Sequence, residues 1–324
     1  MSDTAILKPE VVAARAHDIA VCLERGSVAE YQLLSKLGMA VRLALHLRGV
    51  PAISYSLVRN VAMFLLYFNS FAVDEVLRFL HEAEFVKLDT EGTTIKTIIP
   101  DIPYYDKLFS DIGELATLHG FSEPEWLTLV LLQRLAGSPL LQTHAYQMGA
   151  EKKLVNRVID IGTEGAFIVN RRARGKDVLL SPTYFAESQD AYADLVASSG
   201  ARKVERVLKL LKQNQGWPLA IMEKKGELAG IRLDANDLAI IRMLAGEGFV
   251  PPPAIETTHA GLNHFLFGPL PGATRLIPSK RPSVRYGAVL VRTMRQGQLL
   301  PANYAIRSPV ALLSSFRDRG FVQA

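Results

Sequence analysis

The chain has 324 residues, 49% hydrophobic and 21% charged, a globular balance that excludes a disordered segment of this length. Its one cysteine, Cys22, excludes an intrachain disulfide and a cysteine-based zinc site, and reads as a small buried hydrophobe in a reducing cytoplasm. The net charge of +5 is uneven: from Ala254 to Ala324 nine Lys/Arg face only Glu256 and Asp318, so the residues before them carry −2, an asymmetry suited to a polyanionic partner.

In chain order, the opening MSDTAILKPE has no basic stretch leading into an apolar one, which predicts no signal peptide. Pro9 to Arg25 reads as a helix that packs on the neighbouring part of the fold or on a second copy of the chain. The most apolar run, Val61 to Val73, is broken by Asn69 and Ser70 and is shorter than the ~20 residues of a membrane span, so a soluble, cytoplasmic protein without membrane contact is expected.

A helical pattern ending in a small residue and then Phe-Val/Ile recurs four times. The segments are VLRFLHEAEFV, VIDIGTEGAFI, IIRMLAGEGFV and LLSSFRDRGFV, with their phenylalanines at Phe85, Phe167, Phe249 and Phe321. The apolar spacing is that of one buried helix face. Gly165, Gly248 and Gly320 are expected to stop three of these helices by entering the left-handed conformation.

Upstream of each Phe stands a second mark: GVPAI from Gly49, GSPLL from Gly137, GWPLA from Gly216 and GQLLP from Gly297. Each comes after a helical stretch, roughly Glu30 to Arg48, Ser122 to Ala136, Arg202 to Gln215 and Ser283 to Gln296, and begins a short extended piece. Downstream of the first three phenylalanines a hairpin is expected to return through strands ending at Pro100, Pro182 and Pro269.

Helix, short extended piece, one or two helices, then a β-hairpin: this order resembles the winged helix-turn-helix superfamily over residues 27 to 324. The expected fold is mainly α with small β-hairpins, a tandem array of about four winged-helix-like units. These occupy 27–110, 111–200, 201–272 and a truncated 273–324, after an N-terminal helix in 1–26.

The resemblance implies that the third helix of a unit enters the DNA major groove while the hairpin, or wing, meets the backbone. Unit 2 has the chemistry for this. Lys152, Lys153, Asn156 and Arg157 lie along its third helix, where all four can share the face opposite Val155 and Val158. Arg171, Arg172, Arg174 and Lys176 crowd its wing tip, where mutual repulsion gives them little use in folding. Unit 4 is second, through Arg281, Arg285, Arg292, Arg295, Arg307 and Ser308.

Units 1 and 3 carry acids where a phosphate would come: Asp74, Glu75, Glu82 and Glu84 in one, Asp234 and Asp237 in the other. They read as spacers, dimer surfaces or docking sites for another protein.

No phosphate loop or nucleophile elbow is present, and none of the seven histidines shows H-x-x-x-H spacing. A non-enzymatic protein without metal or cofactor is therefore expected. The leading reading is a double-stranded DNA-binding protein: a regulator, a replication or partition initiator, or the DNA-reading subunit of a defence or mobile-element system. The alternative is a scaffold whose winged helices bind proteins.

Overall fold

Glycine-proline punctuation and a one-faced apolar stripe lay out the same element order three times. The computed structural model describes residues 7–23, 28–185, 189–214, 216–246, 254–257, 261–266 and Ser314. The fold is mainly helical α+β with small antiparallel strand pairs. The chain divides into two compact units, Met1–Ala197 and Ser198–Ala324.

The first unit opens with α1 (Pro9–Leu23). The first repeat comes next: α2 (Gln32–Leu47), β1 (Ile53–Ser54), α3 (Tyr55–Asn60) running into a π turn (Val61–Leu65), α4 (Ala72–Glu82), and the hairpin β2 (Val86–Glu91) with β3 (Thr94–Pro100). After α5 (Tyr105–His119) the order returns as α6 (Glu123–Gly137), β4 (Leu140–Leu141), α7 (Gln142–Ala145), α8 (Lys152–Glu164), β5 (Val169–Ala173) and β6 (Lys176–Leu180). In both repeats the short first strand pairs with the returning strand of the hairpin, giving the sheet orders β1-β3-β2 and β4-β6-β5. α9 (Gln189–Ser199) closes the unit.

One buried core runs from Val12 on α1 through Leu37, Leu77, Leu108, Leu131 and Val158 to Leu179 on β6. The expected boundary between 110 and 111 lies inside α5, and the first two repeats share a core with α1. α1 packs against α2, α5 and α6. Small residues make this possible: a Cβ at Gly38 would stand 2.5 Å from Ala16 O, and one at Gly113 would stand 2.0 Å from Pro9 O.

The recurring phenylalanine has a physical cause. Phe85 N–H reaches back to Leu80 O and Glu84 N–H to His81 O; Phe167 N–H and Ala166 N–H do the same to Gly162 O and Thr163 O. This is the Schellman ending of a helix, in which the residue after the left-handed one folds back to cover the last turn. Both phenylalanines are buried.

The left-handed residues, however, are Glu84 (φ 61°) and Ala166 (φ 55°). Gly165 has φ −79°, which corrects its expected role. A Cβ there would come within 2.7 Å of Leu23 Cδ2 and 2.9 Å of the Phe167 ring, so glycine is needed for close approach. Gly248 and Gly320 lie outside the described residues. Replacing Glu84 or Ala166 with glycine is expected to stabilise the protein by about 0.5–1 kcal/mol each, the left-handed penalty of an L-residue less the extra unfolded entropy of glycine. A denaturant midpoint that both variants leave unchanged or lower would refute this.

The second unit repeats the order with α10 (Ala201–Gln213), β7 (Trp217–Pro218), α11 (Leu219–Lys225), α12 (Ala235–Gly246), β10 (Ala254–Thr257) and β11 (Gly261–Leu266). The sheet order is again first strand, returning strand, middle strand: β7-β11-β10. A small extra hairpin, β8 (Glu227–Leu228) with β9 (Ile231–Arg232), stands between α11 and α12. Asp234 and Asp237 cap each other's backbone N–H at 2.7 and 3.1 Å, and Arg206 meets buried Asp237 at 3.0 Å. These acids therefore build the start of α12. Apart from Ser314, unit 4 and its Arg281, Arg285, Arg292, Arg295, Arg307 and Ser308 lie outside the described residues.

Candidate nucleic-acid interface

α8 holds the third-helix position of the second repeat and buries Val155, Val158, Ile159 and Ile161, leaving Lys152, Lys153, Arg157, Asp160 and Glu164 exposed. Its charges run against its dipole. Lysines crowd the positive N-terminal end and acids the negative C-terminal end, an arrangement that costs a few tenths of a kcal/mol per charge. Only Glu151 at the N-cap opposes this. α4, in the same position of the first repeat, has an acidic first turn, Asp74 and Glu75, which suits the dipole, and ends on His81 and Glu82. α12 likewise has Asp237 in its first turn.

A relay of amides and a phenol joins α7, α8 and the hairpin. Asn170 Nδ2 donates to Gln142 Oε1 at 3.1 Å, and Gln142 Nε2 donates to the Tyr146 hydroxyl at 2.7 Å. That hydroxyl donates to Asn156 Oδ1 at 2.8 Å. The Lys152 ammonium lies 5.0 Å from the Tyr146 ring centroid, within cation–π range. Asn156 is thus held in one rotamer on the first two turns of α8. Tyr146 is the residue that sequence reasoning missed; it sits ten positions from Asn156, on no shared periodicity.

Two groups of the expected cations have partners within the fold. Arg157 donates through both Nε and Nη2 to Glu30 Oε1, at 2.8 and 2.6 Å. Those bonds hold the Glu30 carboxyl below the usual carboxylate range.

The second group lies on the hairpin, which turns through Arg174 (φ 48°) and Gly175 (φ 76°). Arg174 grips both oxygens of Asp194 at 2.7 and 2.8 Å, Arg171 meets Asp190 at 3.2 Å, and Lys176 Nζ donates to Ala197 O at 2.8 Å. The Arg174 hydrogen bond holds the Asp194 carboxyl below its ordinary range. Three of the four wing cations are thus tied to α9, which presents acids one turn apart and a C-terminal carbonyl toward them. The Asp190–Asp194 spacing was the available signal. Arg172, opposite Asp177 in the hairpin register, is exposed.

Among the described residues no group of three His, Cys, Asp or Glu side chains is placed to hold a metal ion, and no helix is long and apolar enough to cross a membrane. No protein-family model matches this chain, and no curated protein matches it.

Proposed function

We propose that the chain is a cytoplasmic, non-enzymatic double-stranded DNA-binding protein built from winged-helix units, with the second repeat as its principal reading head. The observation that carries this is the reversed polarity of α8. Of the three described third-position helices, α8 alone has a basic first turn, at a cost to its own helix stability, with the half-buried amide of Asn156 one turn further on. The repeated helix–strand–helix–helix–hairpin order, with its constant strand order, supports the resemblance to winged-helix units. In this reading α8 enters the major groove, Lys152 and Lys153 hold phosphates, and Asn156 faces base edges. Arg172 reaches the neighbouring backbone. The unit 4 arginines and Ser308 join this reading on their sequence alone.

Fluorescence anisotropy of the full chain with a labelled duplex, repeated over a series of salt concentrations, tests it. Binding should weaken linearly in log–log form, and Lys152→Ala/Lys153→Ala should flatten the slope by about 1.8 and weaken binding roughly tenfold on every duplex. An unchanged slope and affinity in a folded variant would remove α8 from the interface. Absence of duplex binding by the wild-type chain would end the proposal.

The rival reading, a scaffold that docks proteins, draws on a different observation, the exposed aromatic stripe of the first repeat.

A further inference from the structure

The segment from α3 to the start of α4 leaves its apolar residues outside. Leu57 is 51% exposed, Phe64 73%, Leu65 60%, Tyr67 40% and Phe71 86%. Leu57, Phe64 and Leu65 line one side of the α3–π helix, while Val58, Ala62 and Leu66 on the other side are buried. The π turn, with Leu66 N–H bonded to Val61 O, sets that partition, and it ends at Tyr67 in the left-handed region (φ 58°). A π turn and a left-handed tyrosine are both costly, and they fall together where the apolar surface is displayed.

We propose that this stripe is the contact face between two copies of the chain, joined about a two-fold axis. Size is the first argument. At about 150–250 Å² for an aromatic side chain, the stripe offers roughly 600 Å² of apolar surface, the upper end of what an ordinary monomer leaves open. A stable interface needs about 800 Å² per partner, of which the apolar stripe would make up most and a polar border the remainder.

Charge is the second. The border carries Arg59 and Arg78 with Asp74 and Glu75, all exposed and balanced two against two. A two-fold axis repeats the same patch on both sides, so a border with both signs complements itself. A surface for an anionic membrane or for DNA would carry cations alone. Asp74 is already oriented by the Tyr55 hydroxyl, which donates to it at 2.5 Å. The proposal does not rest on the DNA-binding reading.

Analytical ultracentrifugation of the full chain over a wide concentration range is the test. The wild-type chain is expected to sediment at twice its 35.7 kDa mass. Phe64→Ser/Phe71→Ser should weaken self-association by about 100-fold or more, as for loss of two central aromatic anchors. Leu65→Lys, at a position already open to water, should do the same with unchanged circular dichroism, and it decides the matter if the double variant folds poorly. A wild-type chain that stays monomeric at its highest soluble concentration overturns the proposal, as do variants that associate as tightly as wild type. A monomer that pellets with phosphatidylcholine vesicles overturns it in favour of a lipid surface.

Discussion

Glu125→Ala is expected to destabilise the first unit by about 3 kcal/mol, the largest single-residue effect foreseen in this fold. Glu125 is buried on the first turn of α6 yet serves two helices. Its Oε2 accepts the Ser122 backbone N–H at 2.9 Å and the Ser122 hydroxyl at 2.8 Å, while Oε1 accepts the Leu34 N–H at 2.8 Å. Leu34 lies in the first turn of α2, where backbone donors have no partner within the helix. One carboxylate therefore caps the leading helix of each of the first two repeats and fixes them to one another.

Hydrogen bonds to a charged group contribute about 1.5–3 kcal/mol, and a buried donor left without a partner costs about 1–3 kcal/mol. The alanine variant loses three acceptor contacts and strands Leu34 N–H. Neighbouring Tyr31, whose hydroxyl shares a 2.6 Å hydrogen bond with Thr128, shows how dry the site is: burial pushes its pKa up to about 12. Urea unfolding followed by the circular dichroism of the full chain gives the measurement. Glu125→Gln keeps an acceptor for Leu34 and should lose less than half as much. Equal losses in the two variants would mean that the charge, and not the double cap, is what matters.

The helices that start each repeat were legible because three physical signals coincide there. A one-faced apolar stripe, a glycine stop and a following proline or apolar pair bound α2, α6 and α10 to within a few residues of their observed ends. The phenylalanine mark was legible for the same reason: the Schellman ending needs an apolar residue at one fixed position.

α5 and α9 were not, because neither carries that punctuation. α5 contains Gly113, which reads as a breaker in isolation and is in fact a point of close approach to Pro9. The π turn at Val61–Leu65 was equally hidden, since an apolar run cannot announce which side it will bury. In the candidate interface the lysines of α8 were legible from charge and spacing. The partners of Arg157 and Lys176 were not, because Glu30 and Ala197 O approach from elsewhere in the chain, and the Asp190–Asp194 spacing that meets Arg171 and Arg174 shows one acidic helix face without saying what it packs on.

Those partners lead to the second large effect. Arg171→Ala/Arg172→Ala/Arg174→Ala/Lys176→Ala is expected to weaken duplex binding on the order of 10-fold or more and to flatten the salt slope by about 0.9 for each of these cations that holds a phosphate in the wild type, up to about 3.6. By itself that result would be ambiguous, because three of the four side chains also tie the hairpin to α9. Asp190→Asn/Asp194→Asn separates the two roles. Exposed ion pairs contribute little to stability, so the asparagine variant should melt close to wild type. It leaves Arg171 and Arg174 in place while removing the carboxylates that compete with phosphate for them. If the wing meets DNA, the asparagine variant should bind duplexes more tightly than wild type, with a salt slope steeper by about 0.9 for each of Arg171 and Arg174 that the aspartates had kept from a phosphate. The opposite signs of the two variants, measured by anisotropy on one duplex, are the signature of a wing whose cations exchange α9 for the DNA backbone. If the asparagine variant leaves affinity and slope unchanged while the alanine variant only lowers the melting temperature, the hairpin cations serve α9 alone, and contact with DNA rests on α8.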